Sequence, residues 1–131
     1  MNIARLFRIV ATISALVAVA FGMGTYTHAD LTNIHMLFGL IVALALLILS
    51  VIAVFTSGLR RLGVIGIVYA FIVPIFGVKQ EMILVGNLHW LVETAHLGVG
   101  FGALALIGVI GERLARHKPV ASAISTTSEA A

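Results

Sequence analysis

The side chains best placed for chemistry in this chain are three histidines and a glutamate set within apolar sequence: His35, His89, Glu93 and His96. Imidazoles ligate iron, copper or zinc, and a neighbouring carboxylate can fix a histidine tautomer, join a metal site or relay a proton. In the stretch NLHWLVETAHLGVGFGALALIGVIG, residues 87–111, the spacing i, i+4, i+7, i+11 puts His89, Glu93, His96 and Gly100 on one stripe of a helix. Ionisable groups inside a membrane span are costly, and they face a bundle interior rather than lipid. That stripe therefore marks the candidate site, and His35 on an earlier apolar stretch is its natural partner.

The elements that must position these residues follow from composition. The chain has 131 residues, 61% of them apolar and 10% charged, with a mean hydropathy of +1.17. A soluble domain of this size cannot bury so much apolar surface in one small core, so a multi-pass protein of the lipid bilayer is expected. The net charge of +3 sits in short basic clusters beside apolar runs. That is the pattern of topology signals, and a nucleic-acid partner is discounted. There is no cysteine, which excludes disulfides, thiolate metal sites and cysteine-held iron–sulfur clusters.

Four spans are expected, at about residues 6–25, 34–55, 62–78 and 87–111, within a transmembrane domain covering 1–118. A small, polar and disordered tail is expected over 119–131. The first span also resembles a signal peptide, with Thr27-His28-Ala29 before Asp30 as a cleavage context. An uncleaved helix gives the even count that a paired bundle needs. Asp30, Thr32 and Asn33 are each suited to cap the second helix, and Gly58 to stop it. Pro74 is expected to kink the third span, with Gly63 and Gly66 admitting a close neighbour. The apolar run Met82-Ile83-Leu84-Val85 can lie in the interface. Arg5, Arg8, Arg60, Arg61, Arg113, Arg116 and Lys118 fall on one side of this topology and Lys79 alone on the other. The expected fold is thus an all-α, up-down-up-down bundle in the cell membrane, with both termini cytoplasmic and the candidate site toward the outer face.

In that arrangement the second and fourth helices run parallel, and they share a pattern. TNIHMLFG and ETAHLGVG each contain His-x3-Gly, at a constant offset of 61 residues. A glycine one turn from a histidine leaves room beside the imidazole, as a flat macrocycle requires. Two imidazoles from facing helices would give bis-histidine axial ligation of a haem iron. A depth comparison points elsewhere. His35 lies 25 residues before Arg60 and His89 lies 24 before Arg113, whereas His96 lies only 17 before Arg113. By this ruler His89 is level with His35; the shared motif favours His96.

These two spans resemble the haem-carrying helices of one four-helix half of the heme A synthase family and, more loosely, membrane b-type cytochromes. The resemblance covers most of residues 1–113. It implies haem b, with His35 in NIHMLFGL and His96 in ETAHLGVG as ligands. The chain departs from the family in having a single half and no cysteine pair, and in placing Met36 and Leu97 where an arginine often follows the histidine. Electron transfer or haem or gas handling, with a redox protein or quinol as partner, is therefore implied ahead of heme A synthesis.

The residues also allow other readings. His89 beside Trp90 suits an interfacial anchor. Glu93 suits either a hydrogen-bond acceptor for a histidine or a proton relay in a cofactor-free transporter or channel subunit, which at this length would work as a homo-oligomer. His35, His89 and His96, with Glu93 available, could instead hold copper or zinc. The bundle could also be a purely structural accessory subunit. His28 reads as a solvated loop residue and His117 as part of a basic terminus. Gly98-x3-Gly102 has the spacing of a helix-packing motif. Tyr26 and Tyr69 carry no specific signal, and no nucleotide loop or nucleophile–base arrangement is present.

Overall fold

A computed structural model of the chain describes residues 3–25, 31–84 and 86–117. His28, Asp30, Tyr26, Lys118 and the tail, and the expectations attached to them, lie outside the described residues. Four α-helices and one 3-10 turn are present: α1 (Ile3–Thr25), α2 (Thr32–Val54), α3 (Arg60–Lys79), a 3-10 turn at Gln80–Met82, and α4 (His89–Arg116). Each helix is long and apolar enough to cross a membrane. The protein is an all-α, multi-pass membrane bundle.

The helices differ from the expected spans mainly at their ends. α2 begins at Thr32, so Thr32 and Asn33 are already helical. Leu31 occupies the N-cap position without a side-chain cap, its carbonyl taking the His35 N–H at 3.0 Å. Gly58 lies in the turn after α2 with φ +81°, the left-handed region that favours glycine. α3 takes in Arg60 and Arg61 and runs on through Pro74 to Lys79. α4 continues past Gly111 through Glu112 and Arg113 to Arg116, making 28 residues. At 1.5 Å per residue that is about 42 Å, longer than the ~30 Å hydrocarbon core alone requires.

Close packing comes from small residues. α1 buries Ala4, Ala11, Ser14, Ala15 and Ala18, so its backbone can approach its neighbours closely. Gly63 lies against α2 so tightly that an added Cβ would come within 2.6 Å of the Val54 nitrogen and 2.7 Å of the Ser50 carbonyl. Gly66 seats the Ser50 side chain, and Gly102 seats the Tyr69 ring, whose hydroxyl donates to the Val99 carbonyl at 3.2 Å. Gly98, by contrast, faces open space, so Gly98-x3-Gly102 is not a two-point packing motif in this fold. In lipid, polar groups must be satisfied internally. The hydroxyls of Thr12, Thr56 and Thr94 each return to the carbonyl four residues back, at 2.8 Å.

α2 is the most apolar helix and has the largest buried share. Leu46, Leu49, Ser50 and Ala53 are fully enclosed, with Ala103, Ile107 and Ile110 of α4 in the same core. Among the described residues α1 and α3 do not meet, whereas α2 and α4 do. The bundle is therefore a flattened diamond with α2 and α4 on its short diagonal. The start of α1 meets the end of α4 through Arg8 and Glu112, and the later part of α1 meets the start of α2 through Ala18 and His35. These contacts define an arginine end and a histidine end.

Candidate functional site

The short diagonal brings His35 of α2 and His96 of α4 together at the histidine end. Their ring centroids are 5.8 Å apart, with the planes inclined at 59°. His35 lies in the second turn of α2 and His96 in the third turn of α4, both on faces that look inward, and both residues are half-buried. His89 has a different environment. Its Nδ1–H donates to the Ile83 carbonyl at 3.3 Å, and its Nε2 is 3.9 Å from Glu93. It ties the first turn of α4 to the connection from α3, and Trp90 beside it is 58% exposed.

Each imidazole of the pair rests on a glycine of the preceding helix. A Cβ at Gly22 of α1 would lie 3.0 Å from Nδ1 and Cε1 of His35, and one at Gly77 of α3 would lie 3.3 Å from Cε1 of His96. Both contacts are closer than ordinary packing, so only glycine admits the rings without displacing them. Phe76 stacks on His96 at 6.0 Å, and Phe21 stacks on Phe38 at 6.4 Å across α1 and α2. The polar pair thus sits near a phenyl-rich wall.

The two rings are held unequally. His35 Nδ1 lies 2.7 Å from the Ala18 carbonyl. A carbonyl can only accept, so this nitrogen carries the proton, and a neutral ring then leaves Nε2 as the lone-pair atom. His96 Nδ1 is buried and has no hydrogen-bond partner. Leaving such an atom unsatisfied costs about 1–3 kcal/mol, so it calls for an explanation.

The glycines of the shared motif have another role than contact. Gly39 and Gly100 have nothing within 4 Å of an added Cβ. They leave free space on the helix surfaces one turn beyond the histidines, while Gly22 and Gly77 make the contacts. Spacing within one helix cannot reveal the latter, because they depend on the register between helices. Among the described residues, no three of His, Cys, Asp and Glu gather as a metal-holding group. The three-histidine copper or zinc arrangement is therefore not assembled among them, and the histidine constellation reduces to a pair.

The opposite end carries Arg8, whose Nη1 donates to Glu112 at 2.8 Å, and Arg116, whose Nε donates to the other Glu112 oxygen at 2.8 Å. Gly111 makes room for the Arg8 stem. No protein-family model, curated protein or solved structure matches the chain.

Proposed function

We propose that this protein is a membrane b-type haem protein in which His35 and His96 are the two axial ligands, and that its activity is electron transfer. The observation that carries the proposal is the facing imidazole pair across α2 and α4. His35 and His96, their rings 5.8 Å apart on facing helices, are the residues that would hold the group. The donor set fits the group in three further respects. His35 presents the tautomer a ligand needs, with its Nδ1–H held by Ala18. The free space at Gly39 and Gly100 lies one turn from each ligand. Phe76, stacked on His96, supplies an apolar neighbour.

Haem, when bound, supplies a one-electron couple whose potential depends on its axial ligands and its burial. The chain's own residues hold and orient the two imidazoles and fix the His35 proton. Held by two histidines, the group would keep no open coordination position, which favours electron transfer. The orientation belongs to the same proposal. Arg5, Arg8, Arg60, Arg61, Arg113 and Arg116 are sequence neighbours of the arginine end, and Lys79 of the other. By the positive-inside rule the bundle runs up-down-up-down with both termini cytoplasmic, and the histidine pair lies toward the outer face.

The test is an absorption spectrum of the full chain purified in detergent from a haem-supplied host, with metal analysis of the same sample. A low-spin haem spectrum that disappears in both His35→Ala and His96→Ala is expected. A colourless protein, or one carrying copper or zinc without haem, would sink the proposal.

A further inference from the structure

The two imidazoles of the pair differ in a way that two equivalent ligands would not. Gly22 and Gly77 play the same steric part, each opening a helix surface to a ring. Only at Gly22 does the ring then reach a backbone acceptor: His35 Nδ1 finds the Ala18 carbonyl at 2.7 Å, one turn before Gly22. At Gly77 the ring is admitted, but its Nδ1 is buried with no acceptor. A hydrogen bond from the distal ring nitrogen orients an imidazole and raises its basicity as a ligand, and a ring without one is the weaker and less constrained of a pair. His96 also has free space one turn along its own helix, because Gly100 has nothing within 4 Å of an added Cβ.

We infer that His96 is an exchangeable ligand and His35 a fixed one, so that a small neutral diatomic molecule can bind on the His96 side. This rests on the haem reading above and adds a binding function to it. The exchange breaks one dative bond, from a His96 nitrogen, and forms one from the incoming molecule. The imidazole keeps its lone pair and no electron is transferred. Binding is then governed by the fraction of molecules in which His96 is detached. An apparent affinity is lowered by that fraction, and removing the competing side chain restores it.

The test uses the haem-loaded full chain, chemically reduced, with carbon monoxide as the probe and the absorption spectrum as the readout. The wild type is expected to convert from a low-spin to a carbon monoxide spectrum. If the detached form is a minor state, His96→Ala is expected to retain haem and to bind the probe on the order of tenfold or more tightly. Free imidazole should restore the low-spin spectrum of His96→Gly. His35→Ala should lose haem instead.

A second variant addresses the cause. Gly77→Ser sets a hydroxyl on a Cβ that would start 3.9 Å from His96 Nδ1, within reach of it. Given this acceptor, His96 should exchange more slowly than in Gly77→Ala, which carries the same Cβ without the hydroxyl. Haem-loaded wild type whose spectrum does not respond to carbon monoxide, or a reversal of the two alanine variants, overturns the inference while leaving bis-histidine ligation intact. A rate in Gly77→Ser no slower than in Gly77→Ala overturns the missing hydrogen bond as its cause. A wild type without haem overturns the ligation reading itself and this inference with it.

Discussion

At the arginine end, Arg8, Glu112 and Arg116 form two ion pairs of 2.8 Å around one carboxylate, which lies between two guanidinium groups. At the histidine end, one imidazole is hydrogen-bonded and the other keeps a buried nitrogen with no partner. Both ends use glycine to let a polar side chain pass close to a neighbouring helix: Gly111 for Arg8, and Gly22 and Gly77 for the histidines. The difference lies in what the polar groups still lack. The arginine cluster has every carboxylate oxygen engaged by a guanidinium, keeps one net positive charge and sits at the surface. The histidine pair is half-buried, and one of its nitrogens has no hydrogen-bond partner. Polar residues in an apolar bundle are thus better judged by unmet valence than by their presence.

The largest effect that could break this contrast is at His35. His35→Ala should abolish the low-spin haem spectrum, whereas Arg8→Ala should leave it unchanged in the same preparation. A spectrum equally sensitive to both would mean that the ends are not functionally distinct. Next come the contact glycines. Gly22→Val and Gly77→Val drive extra atoms into imidazoles already 3.0–3.3 Å from an added Cβ. Overpacking of this kind costs about 1–3 kcal/mol, so the thermal midpoint in detergent should fall and the haem spectrum should change with it. In the haem-free chain Gly39→Ala meets nothing and should leave the thermal midpoint near wild type, whereas in the loaded protein it narrows the space the haem would take and should weaken haem retention. If Gly39→Ala proved as damaging as Gly22→Val, the assignment of contact and open glycines would be wrong.

The four-helix architecture was legible from hydropathy alone, because a bilayer demands long apolar helices and little else satisfies their backbones. The ends were less legible. Counting from each histidine to the next arginine made His89 level with His35, whereas the rings that meet are those of His35 and His96, and the difference has a physical origin. Residues 55–59, between His35 and Arg60, form a turn rather than helix, while α4 stays helical through Arg116. Measured along helix only, nineteen residues run from His35 to Val54 and twenty from His96 to Arg116, which puts those two histidines at similar depths. The glycines beside the imidazoles were invisible for another reason. Gly22 and Gly77 belong to the preceding helices, and no pattern within α2 or α4 records them. Tyr69 was passed over likewise, since its partners Val99 and Gly102 lie on another helix.

The arginine end should respond to mutation less than its short distances suggest. Its side chains are 37% and 44% exposed in the Arg8–Glu112 pair, so water and salt screen the attraction. Arg8→Glu sets two like charges together and should lower the thermal midpoint more than Arg8→Ala. Raising the salt concentration should shrink the difference between them. A large, salt-independent loss in Arg8→Ala would instead assign its role to the stem packed on Gly111.

The smallest effect is expected at Glu93, where the two ends could still prove alike. His89 Nε2 lies 3.9 Å from Glu93, beyond hydrogen-bond distance, and its Nδ1 is engaged with the Ile83 carbonyl. If His89 serves to tie α4 to the preceding turn, Glu93→Gln should leave both the haem spectrum and the thermal midpoint near wild type. His89→Ala should loosen only the α3–α4 connection, seen as faster amide exchange around Ile83 with the spectrum unchanged. A proton-relay role for Glu93 requires the opposite: proton-coupled activity in proteoliposomes that fails in Glu93→Gln without any change in chromophore. That outcome would extend the functional region from the His35–His96 pair to the neighbouring His89–Glu93 turn, and the histidine end would then hold two sites of different chemistry.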